Sequence, residues 1–359
     1  MKVMFTVQGE GRGHMTQAIS MKQLLERNGH EIVAVLAGGN PERPLPAFFE
    51  EAFKIQRITS PTFAQKENRG ISIRRSILAT APQIPEIRES LHTIRDTIER
   101  ARPDIIINFL EPLLGVYNLL HRHNTPVLAV GHQFMIKHPH FIKTDDFAMQ
   151  QLSMHEYVRF CGARSNYLAL SFYPAPTARR GRLIVSPPLL REQLFQLKPS
   201  NGDYLLVYLV LHGFAPDIIR WNKENPKIPI HCFYDKPNVP AEERVTDTLT
   251  FHKLHGEKFL QMMAGCRAVV CTAGFESVCE AAYLGKPLMM VPVENHFEQY
   301  LNGLDAEHAG IGLRDSKFNL SRIIDHRPSS ALANFKKWVD QSESIILDAV
   351  HLCASSPSP

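Results

Sequence analysis

The sequence has few of the features that mark several large classes of protein. Its six cysteines are scattered, and they form neither a CxxC pair nor a spacing with histidine that would build a tetrahedral zinc site. At 359 residues the chain is too long for a small disulfide-stapled fold. The thiols are therefore expected to be reduced, as they are in the cytosol.

Long hydrophobic runs and a large charge surplus are also missing. The longest apolar stretch, residues 204–211, is far shorter than the roughly 20 residues of a membrane-spanning helix. No signal peptide fits, because the apolar run at 1–7 meets Gly9 too early. A net charge of +4 is too small to indicate a dedicated nucleic-acid binder. We expect a cytoplasmic protein without a nucleic-acid partner, whose membrane contact would be peripheral at the inner face.

Short apolar runs alternate with amphipathic stretches along the chain, which is typical of parallel strands covered by helices on both faces. This pattern predicts an α/β fold. The length exceeds what one core usually holds, and proline and polar residues cluster over 186–202. We therefore predict an N-terminal domain over 1–195, a C-terminal domain over 200–335, and a C-terminal helix with a frayed tail over 336–359. That helix is expected to run from residue 330 to about 352.

A glycine-rich loop follows the first predicted strand and precedes a helix expected from about Met15. Its candidate ligand-binding residues are Gly9, Gly11, Arg12 and Gly13. Glycines let the backbone turn sharply and bring amides close to a ligand at a helix N-terminus. The GxGxG spacing, without an acid ending the second strand, is not the dinucleotide fingerprint, and no GK[ST] follows as in a Walker loop. The loop therefore suits a phosphate or a polar substrate, although glycines that merely pack the helix remain an alternative.

His14 ends this loop, at the C-terminal end of a predicted strand, where open α/β sheets keep their ligand crevice. A histidine there can accept a proton from a hydroxyl, and a carboxylate that orients the imidazole assists it. Glu111, just past the predicted strand at 105–109, is the best-placed acid. A solvated loop carboxylate is the competing interpretation of Glu111.

The most informative segment is 265–302, which reads as strand, glycine turn, helix, Gly-x-Pro turn, strand, polar loop and helix. Its spacing of Gly274, Ser277, Glu280, Glu298 and Gln299 resembles the donor-binding signature of inverting GT-B glycosyltransferases. That group includes the plant and macrolide sugar transferases and the lipid-linked N-acetylglucosaminyltransferase of peptidoglycan synthesis. The resemblance implies two Rossmann-like α/β/α domains facing across a cleft, with a C-terminal helix that crosses back.

The resemblance also implies roles for single residues. Gly274, Phe275 and Ser277 would hold the donor diphosphate at a helix N-terminus, Glu280 would bind the ribose diol, and Glu298 and Gln299 would contact the transferred sugar. His14 would be the base. In this chain His212 and Gly213 stand where relatives often have a phosphate-binding Gly-Ser, and Thr272 stands where many have histidine. The base-binding turn near 251–254 has no sharp motif, so UDP as the nucleotide follows family habit.

The resemblance implies an enzyme without metal or cofactor, in which the nucleotide sugar is a co-substrate. The acceptor stays open. Basic and apolar residues mix in 69–78, which includes Arg69, Arg74 and Arg75, and in 131–141, so a lipid-linked acceptor on an anionic bilayer is one option and a loop lining a pocket is another. Two further functions also stay open, namely hydrolysis or epimerisation of a nucleotide sugar and a noncatalytic binding module.

Overall fold

The computed structural model describes residues 1–61, 65–66, 70–71, 81–178, 181–236 and 238–356. The chain divides into two compact units. The first unit contains residues 1–64, 72–191 and 340–359, and the second contains 65–71 and 192–339. The units therefore divide after residue 191 and again after 339, and the last twenty residues belong to the first unit.

The described strands and helices follow one another along most of the chain. The strands are β1 (Lys2–Gln8), β2 (Glu31–Gly39), β3 (Ile55–Thr59), β4 (Gln65–Lys66), β5 (Gly70–Ile71), β6 (Ile105–Phe109), β7 (Val127–Gly131), β8 (Asn166–Leu170), β9 (Leu183–Ser186), β10 (Leu205–Leu209), β11 (Ile230–Tyr234), β12 (Glu242–Arg244), β13 (Leu249–Lys253), β14 (Ala268–Cys271), β15 (Leu288–Met290) and β16 (Leu313–Arg314). The α-helices are α1 (Arg12–Arg27), α2 (Ala47–Ala52), α3 (Ile84–Ala101), α4 (Pro112–Leu120), α5 (Ala148–Cys161), α6 (Glu192–Phe195), α7 (Ala215–Glu224), α8 (Gly256–Gly265), α9 (Phe275–Tyr283), α10 (Phe297–His308), α11 (Ser321–Ile324), α12 (Ala331–Val339) and α13 (Ser342–Ala354).

The first unit is built on a parallel seven-stranded sheet in the order β3-β2-β1-β6-β7-β8-β9. Its inner strands are almost continuous apolar runs, because helices cover both faces of a parallel sheet. Met4, Leu36 and Ile106 of three neighbouring strands pack with Ile94 and Ile98 of α3 in one buried cluster. The predicted α/β class is confirmed for this unit.

The second unit repeats the plan, with a seven-stranded sheet in the order β12-β13-β11-β10-β14-β15-β16. Only β12, at one edge, runs antiparallel to its neighbour among these strands. Val207, Cys232 and Val270 lie in register on three adjacent strands and are fully buried in the core of this unit. Each unit is therefore a Rossmann-like α/β layer structure.

The prediction of one long helix from 330 to about 352 is wrong. Two helices, α12 and α13, replace it, and they are separated at Asp340 and Gln341. They belong to different units: α12 packs against α9 in the second, and α13 packs against β6 to β9 in the first. The helix breaks because its two halves bury apolar faces on two different cores.

Candidate functional site

In the first unit the chain changes direction at the central strand β1. It first adds β2 and β3 on one side of β1, and it then returns to add β6 on the other side. The loops after β1 and β6 therefore diverge at the C-terminal edge of the sheet, which is where open α/β sheets bind ligands. Val7 and Phe109 pair next to this edge. The loop of Gly9 and Gly11 follows one strand, and Glu111 follows the other.

Tight backbone contacts shape the glycine-rich loop. The Gly9 amide donates to the Gly38 carbonyl at 2.7 Å, and the Gly11 amide donates to Gln8 Oε1 at 3.1 Å. A Cβ on Gly9 would lie 2.5 Å from the Gly38 oxygen, so the close approach requires glycine there. The expected helix start at Met15 is too late, because Gly11 is the N-cap and α1 already begins at Arg12.

His14 therefore lies in the first turn of α1 rather than in the loop. Gly13, predicted to shape the loop, lies in the same turn, where the first backbone amides have no intrahelical partner in any helix. The Arg12 guanidinium stands over the Phe48 ring at 5.7 Å. The structure thus puts His14 at a helix N-terminus, beside the divergence of β1 and β6.

Glu111 is fully buried, which excludes the solvated loop carboxylate. It caps α4, because its Oε1 accepts a hydrogen bond from the Leu113 amide at 2.9 Å. Its own amide donates to Asn108 Oδ1 at 2.9 Å. Burial, the dominant cause, raises the pKa of Glu111 to about 7. Near neutral pH this group can hold or release a proton, and its pairing with His14 stays a prediction.

The Glu111 side chain reaches Gly38 of β2, which stands on the far side of β1 from β6. A Cβ on Gly38 would overlap the Glu111 carboxylate, so the missing side chain makes the space that this acid occupies. Gly38 also accepts the hydrogen bond from Gly9. One glycine of β2 thus contacts both the glycine-rich loop and Glu111.

The second unit changes direction in the same way, at β10. Strands β11, β13 and β12 lie on one side of β10, and β14, β15 and β16 lie on the other. His212 and Gly213 follow β10 in a short 3-10 helix and are half-buried. Thr272, Ala273 and Gly274 follow β14, and the Thr272 amide donates to the Tyr208 carbonyl of β10 at 3.2 Å. The structure brings both predicted phosphate loops to one sheet edge.

Gly274 is the N-cap of α9 in extended conformation, and it has no side chain to cap the helix. Ser277 donates its hydroxyl to the Gly274 carbonyl at 3.2 Å, which leaves the hydroxyl oxygen able to accept a further bond. Phe275 is 6% exposed. Glu280 is only 2% exposed on this helix, so it is not an ordinary solvated helix acid.

Thr272 is a residue that sequence reasoning underrated. Its side chain is 1% exposed, and its Oγ1 has no hydrogen-bond partner among the described residues. Leaving a buried hydroxyl unpaired is unfavourable, and a ligand group that bonds to it is one way in which the cost is removed. The signal available in the sequence was its place at the end of β14, directly before the glycine turn.

Residues of α10 contact the loops after β15 and β14. Gln299 Oε1 accepts from the Val293 amide at 3.0 Å, and Asn302 Nδ2 donates to the Ala273 carbonyl at 3.1 Å. His296 caps the helix, and Glu298 lies half-buried in its first turn. The carbonyl end of Gln299 is thus used within the protein, and its amide nitrogen is the end that can contact a sugar.

Of the two basic and apolar segments, only 131–141 lies fully within the described residues. Arg69, Arg74 and Arg75 lie outside the described residues. In 131–141 the side chains of Phe134 and Met135 are fully buried, so they serve the core of the first unit. In the described part of the chain no helix is long and apolar enough to cross a membrane, and no cluster of three or more metal-ligating side chains is present there.

The model of the family described as Glycosyl transferase family 1 matches residues 1–326. An uncharacterized glycosyltransferase of Methanosarcina acetivorans is 22% identical over 345 residues, which cover 90% of this chain and 86% of that protein. An uncharacterized glycosyltransferase of Methanopyrus kandleri is 26% identical over 137 residues, or 35% of this chain and 40% of that protein.

Solved structures share the whole fold at low sequence identity. The kitacinnamycin glycotransferase has a TM-score of 0.63 at 14% identity and covers 98% of each chain. UGT2 of Phytolacca americana, complexed with UDP-2-fluoro-glucose and pterostilbene, has a TM-score of 0.63 at 11% identity and covers 99% of this chain and 100% of its own. MurG of Acinetobacter baumannii has a TM-score of 0.57 at 13% identity, covering 98% of this chain and 99% of its own. The family match spans nearly all of both units, and the chain therefore belongs to glycosyl transferase family 1, as a glycosyltransferase of the GT-B fold.

Proposed function

We propose that this glycosyltransferase is inverting and independent of metal ions, and that it transfers a hexose-type sugar from a UDP-sugar to an acceptor hydroxyl. The main observation in favour of a donor site is the buried Thr272 hydroxyl, which has no described partner. It lies next to the N-terminus of α9, where no side chain caps the helix. A helix N-terminus favours an anion, and a hydroxyl donor beside it adds a directed hydrogen bond. The donor diphosphate would satisfy both.

The remaining donor contacts follow from the resemblance and from burial. Glu280, buried on α9, would accept hydrogen bonds from the ribose diol. The amide nitrogen of Gln299 would contact the sugar together with Glu298. UDP is supported by the neighbours solved with UDP-2-fluoro-glucose and with UDP.

In the first unit His14 would accept the proton of the acceptor hydroxyl as that oxygen attacks the anomeric carbon. The bond from carbon to the diphosphate breaks at the same time, and its electron pair leaves with the nucleotide. The α9 amides and Thr272 would stabilise this leaving group. Glu111, whose pKa lies near neutral, would stabilise the imidazolium as it forms.

Thr272→Val tests the donor site, because valine keeps the shape and removes the hydroxyl. We expect nucleotide-sugar binding to weaken by about 1 to 2 kcal/mol, or roughly fivefold to thirtyfold, with no loss of folding stability, since the hydroxyl has no described partner to lose. Thr272→Ser, which keeps the hydroxyl, is the matched control. Isothermal titration with UDP-glucose, GDP-mannose and dTDP-glucose measures the effect and identifies the nucleotide. Unchanged affinity in the valine variant would remove Thr272 from the site.

His14→Ala tests the chemistry separately from binding. The variant should lose most turnover and keep its nucleotide affinity, and added chelator should leave wild-type turnover intact. Products of wild-type enzyme given a nucleotide sugar alone distinguish transfer from hydrolysis or epimerisation. Rapid release of free sugar or of an epimer without any acceptor would favour the alternative reaction, and unaltered function in the alanine variant would favour a noncatalytic binding module.

A further inference from the structure

Four polar side chains form a cluster in the second unit, separate from the loops that follow β10 and β14. His231 of β11 faces His252 of β13, with Nδ1 and Nε2 2.8 Å apart. His252 Nδ1 lies 3.2 Å from Lys258 Nζ of α8, and Lys258 also pairs with Glu242 of the edge strand β12. The cluster, called here the histidine chain, joins three strands to the first turns of one helix.

The hydrogen bonds of the histidine chain determine where its protons lie. An ammonium group has no acceptor, so Lys258 donates to His252 Nδ1. His252 must then carry its proton on Nε2 and donate it to His231 Nδ1. His231 carries its own proton on Nε2. These two hydrogen bonds form together only when both imidazoles are neutral. A proton added to His252 therefore removes the acceptor to which Lys258 donates.

The surroundings keep His252 neutral. It is 2% exposed and stacked on Phe233, with ring centroids 4.8 Å apart, while Tyr204 stands edge-on to His231 at 4.9 Å. Burial lowers the pKa of His252 to about 4, and the Lys258 charge adds to this. Burial also lowers the pKa of His231, while the carboxylates of Glu242 and Asp203 oppose the shift.

The histidine chain has members on both sides of the loop that joins β13 to α8. His252 precedes this loop, and Lys258 lies just past it, with its amide donating to the side chain of the N-cap His255. The loop lies at the C-terminal edge of the sheet that holds Thr272, with β13, β11, β10 and β14 side by side. The family resemblance places the nucleotide base at this turn, so the inference rests on the proposed function.

We propose that His252 is a positioning residue for the donor. Through the histidine chain, with both imidazoles neutral, it holds the β13–α8 loop in its nucleotide-binding form, and proton uptake by His252 releases the loop. A protonated His252 presents an N–H on Nδ1 to the Lys258 ammonium. The two like charges must separate, and Lys258 is anchored in the first turns of α8. The start of the helix and the loop before it therefore move together.

The experiment measures UDP-glucose affinity by titration calorimetry from about pH 7.5 to about pH 3.5, a range in which the nucleotide-sugar diphosphate keeps its charge. Because the pKa of His252 is about 4, wild-type affinity should stay constant to about pH 5 and fall about fourfold by about pH 3.5 when the protonated form does not bind. Lys258→Met removes the like charge through which a proton on His252 displaces the start of α8, so the affinity of this variant should stay nearly constant with pH. Glu242→Gln removes the supporting charge and should move the fall to lower pH. His252→Gln keeps one acceptor and one donor without titrating, and its affinity should stay flat.

Lys223→Met, a lysine at the exposed end of α7, is the control and should follow the wild-type profile. A Lys258 variant whose affinity falls with acid as the wild type's does would overturn the proposal, even if the His252 variant does not fold. Failure of the wild type to bind any nucleotide sugar at about pH 7.5 would instead overturn the proposed donor site. In that event amide-exchange protection of residues 254–256 without ligand tests the histidine chain alone: it should fall with acid in the wild type and stay nearly constant in the Lys258 variant. Equal protection in both would refute it.

Discussion

Replacing Glu111 by glutamine should stabilise the first unit at high pH and leave it nearly unchanged at low pH. In the fold the pKa of Glu111 is raised to about 7 from an ordinary value of 4.5. The folded protein therefore holds a proton that the unfolded chain has released, and stability falls as pH rises from about 4.5 through about 7. The shift corresponds to about 3 kcal/mol, of which about 2 to 3 kcal/mol separates pH 5 from pH 8.

The glutamine variant does not lose this stability as pH rises, because its side chain never ionises. Its side-chain oxygen can still accept the hydrogen bond from the Leu113 amide, and at low pH, where Glu111 is protonated as well, the two neutral caps on α4 are equivalent. The difference in unfolding free energy between Glu111→Gln and wild type should therefore grow by about 2 to 3 kcal/mol in favour of the variant from pH 5 to pH 8.

The assay must report on each unit separately, because two units need not unfold together. Both tryptophans, Trp221 and Trp338, belong to the second unit, so their fluorescence serves as an internal control that should not change. Hydrogen exchange of peptides covering 105–120 in a urea series reports on the first unit. A difference between variant and wild type that does not depend on pH would refute the titration of Glu111 near neutrality. The same variant should lose turnover if Glu111 supports His14.

Lys286→Met should destabilise the second unit by about 2 kcal/mol, seen by tryptophan fluorescence in urea, because the buried ammonium donates to two backbone carbonyls that would be left unpaired; an unchanged midpoint would contradict this. Gly38→Ala should destabilise the first unit, and Glu111→Ala should remove about 1 kcal/mol or more of that cost in a double-mutant cycle; additive effects would mean that the two do not compete for space. Gln299→Glu keeps the acceptor for the Val293 amide and loses the NH₂ group, so it should alter sugar selectivity, while the buried carboxylate lowers stability. Equal losses for nucleotide and nucleotide sugar would refute the sugar contact.

The two sheets could be predicted because their strands are buried on both faces and are therefore apolar in unbroken runs. The predicted strand at 105–109 is confirmed with the same bounds. The predicted order of strand, glycine turn, helix, turn, strand, loop and helix over 265–302 is confirmed by β14, α9, β15 and α10. Such features depend on local chemistry, which the sequence displays directly.

Helix α4 shows why other elements were missed. Its nine residues begin with proline, contain a glycine and are almost all apolar, so no helical period separates a buried face from an exposed one. Glu111 is predicted only as an acid just past a strand that could assist His14, and its role as the cap of α4 follows only when that helix is known. At the position of Gly38 the sequence shows only that no acid ends the second strand. Its contact with Glu111 arises from the order of three strands, which no local pattern contains.

The sites of the two units differ in their electrostatics, and this difference bears on the chemistry each can do. At the β1–β6 divergence the structure places His14 and a buried carboxyl whose pKa is near 7, an imidazole and an acid, both of which are able to accept a proton. At the β10–β14 divergence it places a threonine hydroxyl, a serine hydroxyl and the start of α9, groups that offer hydrogen bonds and a partial positive charge and do not titrate. Glycosyl transfer needs a proton acceptor for the incoming hydroxyl and a fixed positive potential for the departing diphosphate. Each need is matched by the chemistry of one unit, so variants of Glu111 should change the pH profile of turnover, whereas variants of Thr272 should change donor affinity at every pH.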